Sequence, residues 1–191
     1  MARALQAHGV DHPDVTYLGC SAGALAAVGL ALDGSLTSLT FSCRCNFLCL
    51  ILYVSSSFCE GDFDAAMEFC KDECIPRAFG EVFGLFQLGQ YVSDCLDLHL
   101  LPKYKPIPAG KLQIASTRLP WFQHERIVDF SSQIDLKSAL LSSAAAFPAA
   151  SLVQRKSAET GGLSWYMDGG LTDFQPIIDE STITVSPFYF R

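Results

Sequence analysis

Gly19-Cys20-Ser21-Ala22-Gly23 fits the pattern G-x-S-x-G. A serine there becomes a candidate nucleophile when an apolar strand enters the turn and a helix leaves it. Val15-Thr16-Tyr17-Leu18 reads as the strand, and Ala22 to Leu32 reads as an Ala/Leu-rich helix that stops at Asp33-Gly34. Ser21 must then sit on a strained turn that lifts its hydroxyl above the sheet edge. Gly19 and Gly23 let the backbone turn sharply there. The helix N-terminus points partial positive charge and free N–H groups at a developing oxyanion. A plain Gly-rich strand-to-helix turn carries the same letters.

A serine needs a base. The chain has four histidines, His8, His12, His99 and His124. In α/β-hydrolases the order is serine, then acid, then histidine. No histidine follows residue 124, and the acid candidate Asp168 lies beyond it, so that triad cannot be drawn. Direct activation of Ser21 by Asp168 remains. Asp168 follows an apolar segment, and Gly169 and Gly170 after it let the backbone pass close to another element. A free aspartate is a weak base at neutral pH. It serves only where burial raises its proton affinity and it reaches the serine hydroxyl. Taken alone, Asp-Gly-Gly is more often a surface turn.

The surrounding pattern is α/β. Ala2 to His8 reads as a helix with Gly9 as its cap, before the first strand and the turn at Ser21. Asp62 to Cys74 reads as an acidic amphipathic helix, and Phe79 to Leu100 is also helical. Lys111 to Thr117 and Arg126 to Phe130 alternate as strands, Leu136 to Phe147 is a helix that Pro148 ends, and Thr182 to Val185 is a last strand. Between these, Ser35 to Gly61 breaks the pattern. It holds Cys43, Cys45, Cys49 and Cys59, and only Arg44 and Glu60 are charged. Its apolar run, Phe47 to Val54, is too short to span a bilayer.

The 191 residues fit one domain or a piece of a larger one. Half are hydrophobic and 17% are charged, which excludes intrinsic disorder. A net charge of −7 argues against a broad nucleic-acid-binding face. The first residues contain no apolar run of signal-peptide length, so an intracellular chain with reduced thiols is expected. Eight cysteines do not imply disulfide staples in a chain with this much core material. Cys70 and Cys74 are one helical turn apart, but no second ligand pair completes a tetrahedral metal site. No P-loop or dinucleotide fingerprint is present, so no cofactor is expected. Lys103, Lys105 and Lys111 with Tyr104 form either a solvated loop or a patch for lipid headgroups.

Gly-Cys-Ser-Ala-Gly-Ala-Leu after a short strand, with Asp-Gly-Gly near the end, resembles the patatin-like phospholipases. The branch it looks most like is that of adipose triglyceride lipase and adiponutrin. Supporting stretches are Tyr166 to Asp173, Pro176, Thr182 to Phe188, and the Ser/Ala-rich run Leu140 to Pro148. The resemblance implies a three-layer fold, a mainly parallel sheet between helices, over residues 1–191. It implies Ser21 as nucleophile, Asp168 as proton acceptor, the Ala22 N–H as oxyanion donor, and the motif glycines Gly19, Gly23, Gly169 and Gly170. The implied reaction is hydrolysis of a glycerolipid acyl ester through an acyl-enzyme, without metal or cofactor. The implied setting is cytoplasmic, at a lipid droplet or membrane surface, with a possible regulatory protein partner and no nucleic acid.

Two departures qualify the resemblance. The chain begins inside what would be the family's first helix, so the preceding strand and its oxyanion-forming Gly-rich loop are expected to be missing. Losing such a donor costs about 3 kcal/mol or more of transition-state stabilisation. Phe174 also stands where the family usually has Asn. Residues 35–61 are an insertion relative to the family, and deleting them restores a short polar turn between Gly34 and Asp62. They are either a retained intron or a lipid-facing addition. The alternative function is a catalytically impaired family member that binds lipid or protein without turnover. An unrelated α/β protein with two accidental motifs is the third.

Overall fold

The computed structural model describes residues 15–33, 69–81, 83–100 and 105–184. The expected helix at 2–8, most of the one at 62–74, the 35–61 segment, Lys103 and Tyr104 lie outside these residues.

Strand β1 (Tyr17–Cys20) leads through Ser21 into helix α1 (Ala22–Asp33). A π-type turn at Cys70–Cys74 runs into α2 (Ile75–Gly80), and a 3-10 turn at Gly84–Gln87 runs into α3 (Leu88–Cys95), which widens again over Leu96–Leu100. Then come β2 (Leu112–Arg118), β3 (Gln123–Ile127), α4 (Gln133–Ser143), β4 (Val153–Lys156) and β5 (Leu163–Asp168).

The sheet is mixed. β1 runs parallel to β2, while β2–β3, β2–β5 and β4–β5 are antiparallel. The expectation of a mainly parallel sheet is therefore corrected among the described strands. Parallel neighbours need a long crossover. The β2–β3 and β4–β5 connections are short loops that permit only hairpins.

The register decides where the chain ends of β1 and β5 fall. β3 covers β2 from Ile114 to Arg118. β1 covers it from Leu112 to Ala115, and β5 from Ser116 to Arg118. A residue has one neighbour per edge, so β1 and β5 must share the edge opposite β3, end to end. β1 points along β2 and β5 points against it. Their C-terminal ends, Cys20 beside Ala115 and Asp168 beside Ser116, therefore meet head-on.

Helices hold this arrangement from the face of Leu112 and Ile114. Ala24, Leu25, Ala27 and Val28 of α1, Leu88, Tyr91 and Val92 of α3, and Leu136, Ala139 and Leu140 of α4 share one buried core with those two residues. α4 starts at Ser132, whose side chain caps the N–H of Asp135. The helix ends at Ser143, before Pro148, because tight turns from Ala144 and Ala145 take over the backbone bonds. β3 lies three residues earlier than its sequence pattern suggested. Polar His124, Glu125 and Arg126 hide the strand, and Glu125 is buried by ion pairing. Thr182–Thr184 form no strand; Thr182 Oγ1 instead accepts the N–H groups of Ile178 and Asp179 in a turn. The helix expected over 79–100 breaks near Glu81, whose extended backbone closes α2.

Candidate active site

Ser21 sits between β1 and α1 with φ of 52°, in the left-handed region that non-glycine residues avoid. That costs about 1–2 kcal/mol and persists only where the surroundings impose it. The imposition is visible at Gly19. A Cβ there would overlap the Gly23 carbonyl, so only glycine lets β1 approach the first turn of α1 this closely. At Gly23 a Cβ would meet nothing within 4 Å, so close packing does not explain that glycine.

The Ser21 hydroxyl donates to Asp168 Oδ2 at 2.6 Å, across 147 positions of sequence. The other Asp168 oxygen, Oδ1, accepts the Gly170 N–H at 2.7 Å. Burial pushes the Asp168 carboxyl above its ordinary value of 3.8, and the bonds from Ser21 and Gly170 pull only partly back. Gly169 explains how β5 can end here: a Cβ on it would overlap the Ala115 carbonyl of β2. Gly170 meets Asp168 Oδ1 and the Phe174 ring in the same way, less tightly.

Ala22 opens α1, so its N–H is among the first four of the helix, which have no acceptor in a preceding turn. The Ser21 N–H points elsewhere, to Ser143 Oγ at 2.9 Å. Cys20 is held in its thiol form. Burial, then the nearby negative charges of Asp168 and Asp173, push its thiol up to about 11, and it bonds the Phe174 carbonyl at 3.6 Å. His124 Nε2 accepts from Arg126 Nε at 3.1 Å and lies 3.4 Å from Asp173, so it belongs to a neighbouring cluster and not to Ser21.

Sequence reasoning assigned no role to Ser143 or Thr117. Thr117 Oγ1 donates to the Asp168 carbonyl at 2.8 Å and pairs with Thr172 Oγ1, bracing the end of β5. The only signal for Ser143 was its place in the Ser/Ala-rich run. Lys111 stands over the Tyr17 ring, 5.2 Å from its centroid, and so belongs to the base of β1 as much as to a basic patch. Among the described residues no group of three or more His, Cys, Asp or Glu is placed to hold a metal, and no helix is long and apolar enough to cross a membrane. A groove of about 680 Å³ lies elsewhere, lined by Ser131, Asp135, Arg155, Lys156 and others, and includes neither Ser21 nor Asp168.

The chain is similar to a mouse protein named 1-acylglycerol-3-phosphate O-acyltransferase Pnpla3, with 26% identity over 178 residues, 91% of this chain. It spans about a third of that relative's length (36%). No family model and no solved structure matches the chain. At this distance the likeness supports a patatin-like relationship and nothing narrower.

Proposed function

We propose that this chain carries the Ser–Asp centre of a patatin-like serine acyl hydrolase acting on glycerolipids. The observation that carries the reading is the 2.6 Å bond from Ser21 Oγ to a part-buried Asp168 carboxylate, on a strained strand-to-helix turn. Ser21 Oγ attacks the ester carbonyl while its proton passes to Asp168 Oδ2. The tetrahedral oxyanion forms beside the N-terminus of α1, where the Ala22 N–H and the helix dipole stabilise it. Collapse breaks the ester bond, and Asp168 returns the proton to the departing glycerol oxygen. The acyl group then rests on Ser21. Water, activated by Asp168, attacks the acyl carbon, and the free acid leaves. Burial suits Asp168 to this task, because a base with raised proton affinity takes the serine proton at less cost than an ordinary aspartate.

Glycerolipid as the substrate class rests on the distant mouse relative, whose printed name specifies an acylated glycerol phosphate. That name also describes acyl transfer. Transfer would follow from the same acyl-enzyme if an acceptor alcohol replaced water. Trp121 and Phe122 at the β2–β3 turn, and Leu171 and Phe174 beside the site, are exposed and offer apolar contact with a lipid surface. They support a peripheral position on a droplet or membrane. We take residues 1–191 as one patatin-like domain that carries 35–61 as an added segment.

The test is labelling by a fluorophosphonate together with hydrolysis of a short-chain acylglycerol. Ser21→Ala should abolish both. A Ser21→Ala protein that keeps the parental rate would sink the reading. Lipid binding by a parent that shows neither labelling nor turnover would establish the impaired, non-catalytic alternative.

A further inference from the structure

β1 and β5 meet head-on along one edge of β2, so a sheet ladder has a gap at their junction. Ser21 follows Cys20, the ladder partner of Ala115, so the Ser21 N–H and the Ala115 carbonyl lie at that junction. One side chain fills it. Ser143 Oγ accepts the Ser21 N–H at 2.9 Å and donates to the Ala115 carbonyl at 2.6 Å. Ser143 is fully buried. Two residues on, the Ala145 carbonyl accepts the Asp168 N–H at 3.1 Å. The end of α4 thus holds the backbone of both Ser21 and Asp168 within three residues of its own chain.

We infer that Ser143 is a positioning residue, whose hydroxyl sets the separation between the Ser21 hydroxyl and the Asp168 carboxylate. The inference rests on the Ser–Asp reading above. Its physical basis is that a left-handed Ser21 is strained and would relax without a bond on its N–H. A short shift there is enough to move the hydroxyl off the carboxylate line, and such misplacement costs rate rather than affinity. A second consequence concerns proton affinity. The Ser21 hydroxyl bond lowers that of Asp168, so loosening it should raise it.

Ser142 supplies the control. It is also fully buried and bonds Ser116 Oγ and the Ala139 carbonyl, with no bond to Ser21 or Asp168. Ser142→Ala and Ser143→Ala each remove one buried hydroxyl and should lower the urea midpoint alike. Only Ser143→Ala should reduce kcat on a soluble short-chain ester, by roughly 10- to 100-fold with KM within about twofold. It should also slow fluorophosphonate labelling and move the acid limb of kcat to higher pH. Ser143→Ala with kcat and acid limb matching Ser142→Ala overturns the inference. If Ser143→Ala does not fold, Ser143→Cys carries the same test, since it keeps the volume and offers only a weak, longer hydrogen bond. A parental kcat in Ser143→Cys would then overturn it. A parent that labels no faster than Ser21→Ala would fail for a different reason, by removing the Ser–Asp reading itself.

Discussion

Two carboxylates sit at neighbouring positions of the same sheet and live by opposite rules. Asp168 pairs with Ser116 across the β2–β5 ladder, and Glu125 pairs with Ser116 across β2–β3. Glu125 is nearly inaccessible and receives three donors, Ser157, Tyr166 and the Ala158 N–H at 3.0 Å each, and an ion pair from Arg118 at 3.1 Å. Arg118 is buried with it and spreads its remaining donors over Ser157, Gln123 and Glu159. Among the described residues, Asp168 receives two donors, one hydroxyl and one backbone N–H, and no cation. A buried charge is tolerable when it is paired and fully bonded. Glu125 meets that condition and locks three strands together. Asp168 does not, so its proton affinity rises, the property the proposed base requires. Residue type decides neither role. The number and charge of the donors decide both.

The sharpest way to break this comparison is to neutralise each acid. Asp168→Asn should cut acyl-ester turnover by about 10²- to 10⁴-fold, the usual worth of a positioned base. It should not lower stability. Because burial raises the folded-state value of Asp168 above 3.8, the folded chain holds this proton to higher pH than the unfolded chain does. Stability therefore falls as pH rises through that window, and at neutral pH the folded state carries the full penalty of an ionised Asp168. Thermal melts should show Asp168→Asn equal to or more stable than the parent at pH 7, with the advantage vanishing below the window. In the parent, the acid limb of kcat should lie above 3.8. A limb at or below 3.8 would contradict the desolvated base.

Glu125→Ala should do the reverse. It leaves Arg118 buried without its partner and should cost about 3–5 kcal/mol, read from chemical denaturation. Whatever protein remains folded should retain kcat, since no atom of Glu125 bonds Ser21 or Asp168. A large loss of kcat in folded Glu125→Ala would join the two regions that the bonding pattern separates.

Gly169→Ala tests the junction between them. Its Cβ would overlap the Ala115 carbonyl, so the end of β5 must move away from β2. The expected cost is about 1–3 kcal/mol of overpacking, with a drop in kcat because Asp168 moves with the strand. Unchanged kcat and stability would mean that the close approach at Gly169 is not what places Asp168.

The legible parts of this site were the ones written in residue type. Gly19-Cys20-Ser21 announced a turn, and Asp168 stood out because no histidine lay in the right order. Their meeting depends on the register of β2, which brings two strand ends together. Register is set by long-range pairing, which no local window contains. The mainly parallel sheet was what the resemblance implied, and the strand letters hold nothing against it: pairing direction is likewise non-local, and β4 is too short and too polar to signal itself. Glu125 and Arg126 concealed β3, because burial by ion pairing reverses the usual pattern of polar residues outside. Ser143 gave no sign beyond its place in the Ser/Ala-rich run, as its hydroxyl bonds Ala115 and Ser21, 28 and 122 positions away.

The smallest effect closes the series of charges. Lys137 on α4 reaches Asp97, beyond α3, at 2.6 Å, a shorter contact than Arg118 makes with Glu125. Distance alone would rank it as the stronger pair. Half of the Asp97 side chain is exposed, however, so water competes for both charges and salt screens them. Lys137→Ala should therefore cost no more than about 1 kcal/mol, and the difference should shrink as ionic strength rises. Glu125→Ala should keep its cost at high salt, because its charges lie out of reach of mobile ions. If the two variants lost similar stability and responded alike to salt, burial would not be what separates Glu125 from an ordinary surface acid, and the contrast between Glu125 and Asp168 would have to rest on donor count alone.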